Sequence, residues 1–405
     1  MFFDAPGGTQ ISRESIQAIT EYLVTRNANH DGHFRASRES DAMVARTRSA
    51  VADFIGASRP EEICFGQNMT SVTFNLSRSI ARELHPGDEV VVTRLDHDAN
   101  VAPWLLAAKD RGAEVRWVDF DPNEGAWTAD ALAAQVTSRT KLVAVGLASN
   151  STGTINPVAE AARIAHAVGA WCFVDAVHYA PHGPIDAAAL GCDFLACSAY
   201  KFFGPHVGIL WGRYELLDRL PAYKVRPAGD APPYKWETGT QSFEGIAGVG
   251  GCLAYLEWVG RTFGGAGAGP RKQALRAGME SIRSYEAGLA RRLRDGLSAV
   301  KGLRVRGIMS DAGMSRRVPT FSFTLDGHHP RAVCEALDAA GIAAWDGNYY
   351  ALEVTRRLGL EGTGGMVRVG AAHYTTAAEV DRLLEVIDSI AAARAPGRSR
   401  ATASS

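Results

Sequence analysis

The chain has 405 residues, with 43 basic and 44 acidic side chains and a formal net charge of −1 at pH 7. This balance, without any run of five or more Lys or Arg, argues against a nucleic-acid-binding surface. A hydrophobic share of 46% and a charged share of 21% are typical of a globular protein with a large core. The sequence contains no run of about 18 apolar residues, so no membrane span is predicted. We therefore expect neither a nucleic acid nor a membrane as a partner.

The N-terminal stretch and the cysteines both indicate a cytoplasmic protein. The first 15 residues contain no basic segment followed by an apolar one, so we expect no signal peptide. Six scattered cysteines, mostly inside apolar runs, favour reduced and buried thiols over a disulfide framework. They are Cys64, Cys172, Cys192, Cys197, Cys252 and Cys334. No His/Cys cluster has zinc-ligand spacing, so no metal is predicted.

Strand-like and helical segments alternate from about residue 47 to residue 212. Six apolar segments predict strands: residues 88–96, 113–120, 141–149, 170–177, 193–199 and 208–212. Several are apolar throughout, which is typical of strands covered on both faces. A helix over residues 158–170 follows Asn156-Pro157, a plausible cap and first-turn pair. The alternation predicts an α/β fold with a mostly parallel sheet flanked by helices.

The pattern changes after Gly212. Residues 221–251 predict a loop, and residues 260–270 a glycine-rich linker. Further segments indicate a smaller α+β domain: helices over 272–300 and 330–340, and strands over 303–308, 318–325 and 366–372. We predict an N-terminal segment (1–15), a large α/β domain (16–262), a small C-terminal domain (263–393) and a disordered tail (394–405).

Polar and titratable side chains follow the predicted parallel strands. In such a sheet, ligands gather outside the carboxyl ends of the strands. The side chains at these ends are Asp96, His97, Asn150, Asp175, His178, Ser198, Tyr200 and Lys201. A helix-initiating segment upstream contributes Thr70 and Ser71. These residues form the candidate site.

Lys201 is one of only seven lysines and lies in the apolar stretch "ACSAYKFFGPHVGILWG". A lysine in a desolvated pocket has a lowered pKa and becomes a nucleophilic amine that condenses with an aldehyde. Pyridoxal phosphate needs such a lysine, an acid at its pyridine nitrogen and a phosphate site at a helix N-terminus. Lys201, Asp175 and the Thr70–Ser71 pair supply these three requirements.

Structural readings of the same residues stay open. Asp175, Thr70 and Ser71 are residue types that cap helices, and His97 is compatible with a satisfied core histidine. Lys201 has enough length to reach water along its own stem. Arg368 is compatible with a surface or structural arginine. His33, His178 and His206 are weaker candidates, and for His206 we favour a structural role.

Six motifs in order carry a resemblance to a known family. They are "NAN…GH…S" (27–37), "DHDANVAPW" (96–104), "SNSTGTINP" (149–157), "VDAVHYAPH" (174–182), "SAYKFFGP" (198–205) and "WETGTQSFEG" (236–245). Each is weak alone, but their order and spacing are specific. From about residue 3 to 390 the chain resembles the cysteine desulfurase branch of the class V aminotransferases. The resemblance implies a fold-type I enzyme dependent on pyridoxal 5'-phosphate.

The resemblance also assigns roles within the site. It implies that Lys201 forms the Schiff base, Asp175 pairs with the pyridine nitrogen and His97 stacks on the ring. Asn150 matches the amide near the phenolic oxygen, and His178 stands where the family usually has a Gln contacting that oxygen. The implied phosphate ligands are Thr70, Ser71, Ser198 and Tyr200, the last in place of a usual His.

Two further matches concern the substrate and the assembly. Arg368, in "GGMVRVG", matches the arginine that clamps the substrate α-carboxylate. Thr240 matches a phosphate ligand from the partner subunit, which implies a homodimer with shared sites. The expected small-molecule partner is an amino acid.

The chain departs from the family at "GIAAWDGNYYAL" (341–352). Trp345 stands at the family's arginine, and Tyr350 stands where the resemblance implies a persulfide-forming cysteine. A phenol cannot carry sulfane sulfur, so we expect a C–S β-lyase acting on cysteine or an S-substituted cysteine. The candidate catalytic residues are Lys201, His97 and Tyr350, and the candidate substrate-binding residues are Arg368, Asn150 and Tyr349. For Tyr349 and Tyr350, simple packing in the small domain is the competing interpretation.

Other reactions stay open. A cysteine outside this segment could support sulfur transfer as in a desulfurase. An amino-acid epimerase or aminotransferase would use the same lysine and leave the Cβ substituent in place. Decarboxylation coupled to oxidative deamination and a non-catalytic cofactor-binding role complete the alternatives.

Overall fold

The computed structural model describes residues 1–393, so the tail predicted at 394–405 lies outside the described residues. The helices are α1 Arg13–Thr25, α2 Arg35–Ile55, α3 Met69–Ala81, α4 Ala102–Arg111, α5 Ala129–Ala133, α6 Val158–Ala167, α7 Ala187–Leu190, α8 Tyr214–Arg219, α9 Phe243–Thr262, α10 Arg271–Ala299, α11 Pro330–Ala339, α12 Leu352–Arg357 and α13 Ala377–Ala392. The strands are β1 Ile63–Gly66, β2 Glu89–Thr93, β3 Glu114–Val118, β4 Thr140–Gly146, β5 Trp171–Asp175, β6 Phe194–Ser198, β7 Gly208–Gly212, β8 Leu303–Arg306, β9 Thr320–Leu325, β10 Trp345–Gly347 and β11 Met366–Gly370.

The larger sheet has seven strands in the order β1-β7-β6-β5-β4-β2-β3. Its five strands from β6 to β3 are parallel, β7 pairs antiparallel with both β6 and β1, and β1 therefore runs in the same direction as the other five. Along β2, Val91 packs into one hydrophobic cluster and Val90 and Val92 into another on the opposite face. Helices cover both faces, which is why these strands are apolar throughout. The mostly parallel α/β sheet is confirmed, and its six predicted strands are all present.

The smaller sheet is antiparallel, in the order β10-β11-β9-β8. Its core contains Phe321 and Phe323 of β9 and also Phe3 from the N-terminal segment. Helix α10 serves both cores, because Met279 packs into the large one and Leu293 into the small one. The fold class is confirmed, while the domain boundaries stay a prediction.

The prediction of a loop over residues 221–251 is wrong in its last part, because α9 already begins at Phe243. The Ser242 hydroxyl caps this helix by accepting from the Gly245 N–H at 3.2 Å. A Cβ on Gly251 would overlap the backbone of Glu14 in α1. The glycines therefore permit close packing of two helices, although glycine ordinarily disfavours a helix.

Among residues 1–393, no helix is both long enough and apolar enough to span a membrane.

Candidate active site

The carboxyl ends of β2, β4, β5 and β6 open into a cavity between the two sheets. The cavity has a volume of about 1230 Å³ and is lined by Lys201, Asn150 and Arg368, among others. A recess of about 50 Å³ continues it towards the large sheet. All the candidate site residues predicted from the sequence except Thr240 line the cavity or its recess. We call the strand-end residues Asp96, Asp175, His178, Ser198 and Lys201 the floor of the site.

Lys201 lies in a short 3₁₀ turn that follows β6. Its Nζ donates to the carbonyl oxygen of Pro6 at 2.6 Å, so the N-terminal segment crosses the site beside the amine. Burial and, to a smaller extent, the charge of Arg368 lower the pKa of Lys201, and the charge of Asp175 raises it. Together these effects lower the pKa to about 7. The side chain therefore offers a neutral amine near neutral pH, as a nucleophile or a base requires.

Asp175 is the last residue of β5 and is buried, with Oδ1 accepting from the Val177 N–H at 2.8 Å. Burial raises the pKa of this carboxyl to about 6. The interpretation of Asp175 as a plain helix cap is not supported. Asp175 is followed by a turn, and the next α-helix, α7, begins only at Ala187.

Asp96 lies beside Asp175 in the recess, and the sequence analysis placed it at a strand end without assigning it a role. Its carboxylate accepts from the Gly146 N–H at 3.0 Å and from Asn100 Nδ2 at 2.8 Å. Gly146 is also the register partner of Asp175 across β4 and β5. Burial raises the pKa of Asp96 to about 7, with a second contribution from the charge of Asp175. Its place directly before His97 was the available signal.

The phosphate-binding end predicted from the sequence coincides with the N-terminus of α3. Asn68, which the sequence analysis missed, caps this helix: its Oδ1 accepts from the Ser71 N–H at 2.9 Å and from the Ser71 hydroxyl at 3.0 Å. The Ser198 hydroxyl accepts from the Met69 N–H at 2.8 Å. Thr70 is exposed and lines both cavity and recess. The helix cap is thus Asn68, and Thr70 faces the cavity.

Tyr200 and His206 form one stacked pair at the cavity edge, with ring centroids 4.9 Å apart and an interplanar angle of 20°. His206, for which the sequence favoured a structural role, is exposed and lines the cavity beside Tyr200. His33 is exposed and lies outside the cavity.

His97 and His178 are held in defined orientations. Nδ1 of His97 accepts from the Ala99 N–H at 3.0 Å, which leaves the proton of the neutral ring on Nε2. Burial, followed by the charges of Lys201 and Arg368, lowers the pKa of His97 to about 3. Nε2 of His178 lies 3.0 Å from the Thr320 hydroxyl, and burial lowers its pKa well below the usual value. Both rings are therefore neutral in this setting.

Asn150 and Arg368 join the two sheets. Nη1 of Arg368 donates to the Asn150 carbonyl oxygen at 2.8 Å, and the guanidinium carbon lies 4.2 Å from the centroid of the Tyr349 ring. Burial lowers the pKa of Arg368 to about 10, so it stays a cation at neutral pH. Among residues 1–393, Nε of Arg368 and Oδ1 of Asn150 are buried without a hydrogen-bond partner. Both residues line the cavity, and buried polar groups without a partner are rare in folded proteins.

The tyrosine loop, residues 348–351, forms the opposite side. Tyr349 and Tyr350 both have left-handed backbone, with φ of 54° and 58°. The carbonyl of Tyr349 accepts from Asn150 Nδ2 at 2.8 Å, and that of Tyr350 accepts from the Asp98 N–H at 2.7 Å. Two carbonyls thus fasten the loop to the large sheet. Together with Trp345 and Arg368 we call this loop the wall of the site.

The two tyrosines play different parts in this wall. The Tyr349 hydroxyl donates to the backbone carbonyl of Met366, so only its ring faces Arg368. The Tyr350 side chain is 72% exposed, and its ring centroid lies 5.6 Å from that of His97. Tyr349 packs into the hydrophobic cluster of the large sheet and not into that of the small sheet, while the Tyr350 side chain lies in the cavity.

None of the six cysteines, all of which fall within residues 1–393, lines the cavity or its recess. Five are buried and Cys334 is partly buried. Burial raises the pKa of every one of these thiols, that of Cys334 to about 12. The site accordingly offers no nucleophilic thiolate.

Thr240 is exposed and lies outside the cavity of its own chain. A contribution to the site would therefore have to come from a second copy, as the family resemblance implies.

Comparisons with known proteins show which family the chain belongs to. Residues 1–383 match the model of the aminotransferase class-V family. A probable cysteine desulfurase of Streptomyces coelicolor is 32% identical over 96% of this chain and 92% of its own length. A probable cysteine desulfurase of Mycolicibacterium paratuberculosis is also 32% identical over 96% of this chain, which spans only 55% of that relative. The aminotransferase-like protein FGM3 of Gibberella zeae is 32% identical over 96% of this chain and 94% of its own length.

Solved structures show the same similarity. A cysteine desulfurase from Thermococcus onnurineus superposes with a TM-score of 0.86 at 27% identity, over 97% of this chain and 94% of its own. A cysteine desulfurase of Escherichia coli gives a TM-score of 0.80 at 25% identity, over 96% and 94% of the two chains.

Proposed function

This chain belongs to the aminotransferase class-V family of pyridoxal-phosphate-dependent enzymes, and from that premise we propose that it is a C–S β-lyase acting on L-cysteine or an S-substituted L-cysteine. The observation that carries the proposal is a cavity with a complete set of residues for amino-acid chemistry and no thiol. Tyr350, not a cysteine, occupies the exposed position of the tyrosine loop.

The residues present fit pyridoxal phosphate. Lys201 supplies an amine of lowered pKa for the aldehyde, and Asp175 supplies a buried acid for the ring nitrogen. The N-terminus of α3, with Thr70 facing the cavity, supplies a site for the phosphate. When bound, this cofactor withdraws electrons from the substrate's Cα.

Arg368 is suited to holding the substrate by its α-carboxylate. Its guanidinium is buried but remains charged, and the Asn150 carbonyl together with the Tyr349 ring fixes its orientation. A carboxylate at this point would also satisfy an unpaired N–H. The amino acid is then oriented with its Cα towards Lys201.

Lys201 is suited to removing the α-proton. Its Nζ has a pKa near 7, so a neutral amine is available to accept the proton, and the same ammonium can later return it. Loss of the α-proton drives out the sulfur substituent from Cβ as a thiol. The 2-aminoacrylate that leaves reacts with water to give pyruvate and ammonia, which balances the reaction.

A panel of L-cysteine, S-substituted L-cysteines and other amino acids, with products identified by mass spectrometry, tests the proposal. Equal amounts of pyruvate, ammonia and free thiol are expected. Alanine with a persulfide would instead mean sulfur transfer. Inverted configuration would mean an epimerase, an amino group passed to a keto acid would mean an aminotransferase, and an aldehyde with carbon dioxide would mean oxidative deamination. No turnover of any compound would contradict a catalytic role.

We also propose that the enzyme works as a cytoplasmic homodimer in which Thr240 reaches the partner's phosphate site. The exposed position of Thr240 outside its own cavity supports this arrangement. Light scattering should give twice the mass of 43.3 kDa, and Thr240→Ala should weaken cofactor binding without changing that mass. A monomer with full cofactor affinity would contradict the dimer.

A further inference from the structure

We propose that the outer part of the cavity binds a flat aromatic substituent on the substrate's sulfur, between the side chains of Trp345 and Tyr350. This inference deepens the C–S lyase proposal and rests on it for the amino-acid part of the substrate. It specifies what that amino acid carries on its sulfur.

Trp345 lies next to both groups that would hold the amino acid. In the antiparallel register of β10 and β11, Trp345 is directly opposite Arg368, so the two side chains share one face of the sheet. The indole also packs on Gly7, where a Cβ would overlap it, and the neighbouring Pro6 holds Lys201. Trp345 is nevertheless 49% exposed and lines the cavity. About half of the Trp345 side chain is therefore exposed in the cavity, beside the arginine that would hold the substrate carboxylate.

Tyr350 supplies a second ring, beside His97. Its side chain is 72% exposed, although the backbone is held by the Asp98 N–H at 2.7 Å. Left-handed backbone at a residue with a large side chain costs about 1–3 kcal/mol and is retained where the surrounding structure imposes it. Two such residues in sequence present Tyr350 to the cavity. An exposed ring on a fixed and strained backbone is typical of a binding surface.

Several polar side chains around these two rings are paired with one another. Nε of Arg331 lies 3.3 Å from Asp346 Oδ2, and Asn348 Nδ2 donates to Glu361 Oε1 at 3.0 Å. The second oxygen of Glu361 accepts from the Thr355 hydroxyl. A charged substituent would have to break such a pair, whereas an aromatic one only covers apolar faces. The available surface therefore favours a neutral, flat group.

The volume also leaves room for such a group. Ligand pockets for drug-sized molecules span about 300–1,000 Å³, and this cavity measures about 1230 Å³. Cysteine and the cofactor together are smaller than the upper end of that range. The remaining volume would accommodate a group of the size of benzyl that extends from Cβ of the substrate towards Trp345.

The first experiment compares S-benzyl-L-cysteine with S-cyclohexylmethyl-L-cysteine on the holoenzyme. Both release thiols of similar size, so they differ mainly in the flatness and aromaticity of the ring. The benzyl thiol is also the more acidic leaving group, which affects kcat and makes KM the informative quantity. We expect kcat/KM to be about tenfold higher for the benzyl compound, mostly through KM. Equal values for the two compounds would overturn the proposal, while the lyase activity itself would stand.

A second experiment measures binding without reaction. 3-(Benzylthio)propanoate lacks the amino group and cannot be turned over, so calorimetry reports only the carboxylate and the ring. We expect it to bind about tenfold tighter than 3-(cyclohexylmethylthio)propanoate. This preference should persist even if no amino acid is turned over, which separates a failure of the proposed function from a failure of this inference. Equal affinities would overturn the inference.

Variants locate the effect. Trp345→Ala and Tyr350→Ala should each remove most of the benzyl preference, and Tyr350→Phe should keep it because the ring remains. Trp258→Ala removes a similarly exposed indole (52%) outside the cavity and should change nothing. Trp345 and Tyr350 are both exposed, so the thermal midpoints of their alanine variants should stay close to that of wild type. A preference that survives both alanine variants would place the aromatic group elsewhere and overturn the proposal.

Discussion

The floor and the wall of the site are built in opposite ways. The floor consists of buried or partly buried side chains at strand ends, such as Asp175 at 7% exposure, and each of the five has a hydrogen-bond partner. The wall includes Trp345 on β10 and Tyr350 on the tyrosine loop, which are exposed by 49% and 72%, and the backbone of Tyr350 is left-handed. The floor is suited to holding one cofactor in one state. The wall offers adjustable surface and is suited to selecting a substrate.

This difference divides the chemistry between the two regions. The shifted pKa values of Asp96, Asp175 and Lys201 all lie in the floor, where burial acts on each group. The Tyr350 ring contacts water, and no thiol lies in the wall. Changes in the floor should therefore abolish catalysis, and changes in the wall should redirect it.

Lys201→Ala is expected to have the largest effect. Removal of the amine takes away both the covalent anchor for the aldehyde and the base for the α-proton, so kcat should fall by about 1,000-fold or more. Borohydride treatment of the holoenzyme should fix the cofactor on wild type but not on the variant. Lys141→Ala, at an exposed lysine, is the control and should match wild type. A borohydride-fixed cofactor on Lys201→Ala would mean that another lysine is the anchor.

Arg368→Lys sharpens the comparison because it changes the wall and keeps its charge. Lysine lacks the planar fork that pairs with a carboxylate and stacks on the Tyr349 ring, so KM should rise about 30-fold while cofactor absorbance stays unchanged. Steady-state kinetics and the visible spectrum measure the two quantities separately. Loss of cofactor with unchanged KM would assign Arg368 to the floor instead.

Asp96→Asn tests whether the floor holds a proton of its own. Burial raises the pKa of Asp96 to about 7, whereas an unfolded Asp has a pKa of about 3.9. The native chain thus keeps a proton that the unfolded chain releases, so this carboxyl's contribution to stability is lost as pH rises from about 4 to about 7. Between pH 5 and pH 8 the free energy of unfolding should therefore fall by about 2–3 kcal/mol less in the variant than in wild type.

Urea unfolding of the cofactor-free protein at these two pH values gives the measurement. The matched control is Asp110→Asn, an exposed carboxyl on α4, which should decline as wild type does. In Asp96→Asn the free energy of unfolding should still fall somewhat with rising pH, because burial also raises the pKa of Asp175, to about 6. An unchanged decline in Asp96→Asn would place the proton on another group.

Tyr349→Phe is expected to have the smallest effect. The variant loses only the hydrogen bond to the Met366 carbonyl and keeps the ring beneath Arg368, so stability should fall by about 1 kcal/mol. KM and kcat should stay within about twofold of wild type. A large fall in kcat at full stability would assign the phenol an acid or base role after all.

The floor was predictable from the sequence because topology dictates it. Once the strands are parallel, Asn150, Asp175 and Lys201 must meet at one edge whatever their separation along the chain. Their residue types then indicate the cofactor. Asp96 lies at the same edge by the same rule, although the family resemblance assigns a role only to His97 beside it.

Other contacts join residues that are far apart along the chain, and a local sequence pattern does not predict them. The Pro6 carbonyl reaches Lys201 over 195 positions, and Asn150 bonds the Tyr349 backbone over 199. Asn68 acts as the cap because α3 begins one residue earlier than the Thr70–Ser71 pattern indicates. The helix at Phe243 was missed since its glycines serve close packing on α1, a requirement visible only once both helices are placed.

The way in which the tyrosine loop is fastened bears on how such an enzyme changes over evolutionary time. Asn150 and the Asp98 N–H hold the loop by two of its carbonyl oxygens, which every amino acid possesses. Mutations at positions 349 and 350 can therefore alter the side chains presented to the substrate while both attachments persist. A single scaffold could acquire a new reaction by drift in a few codons, long before anything in its cofactor chemistry had to change.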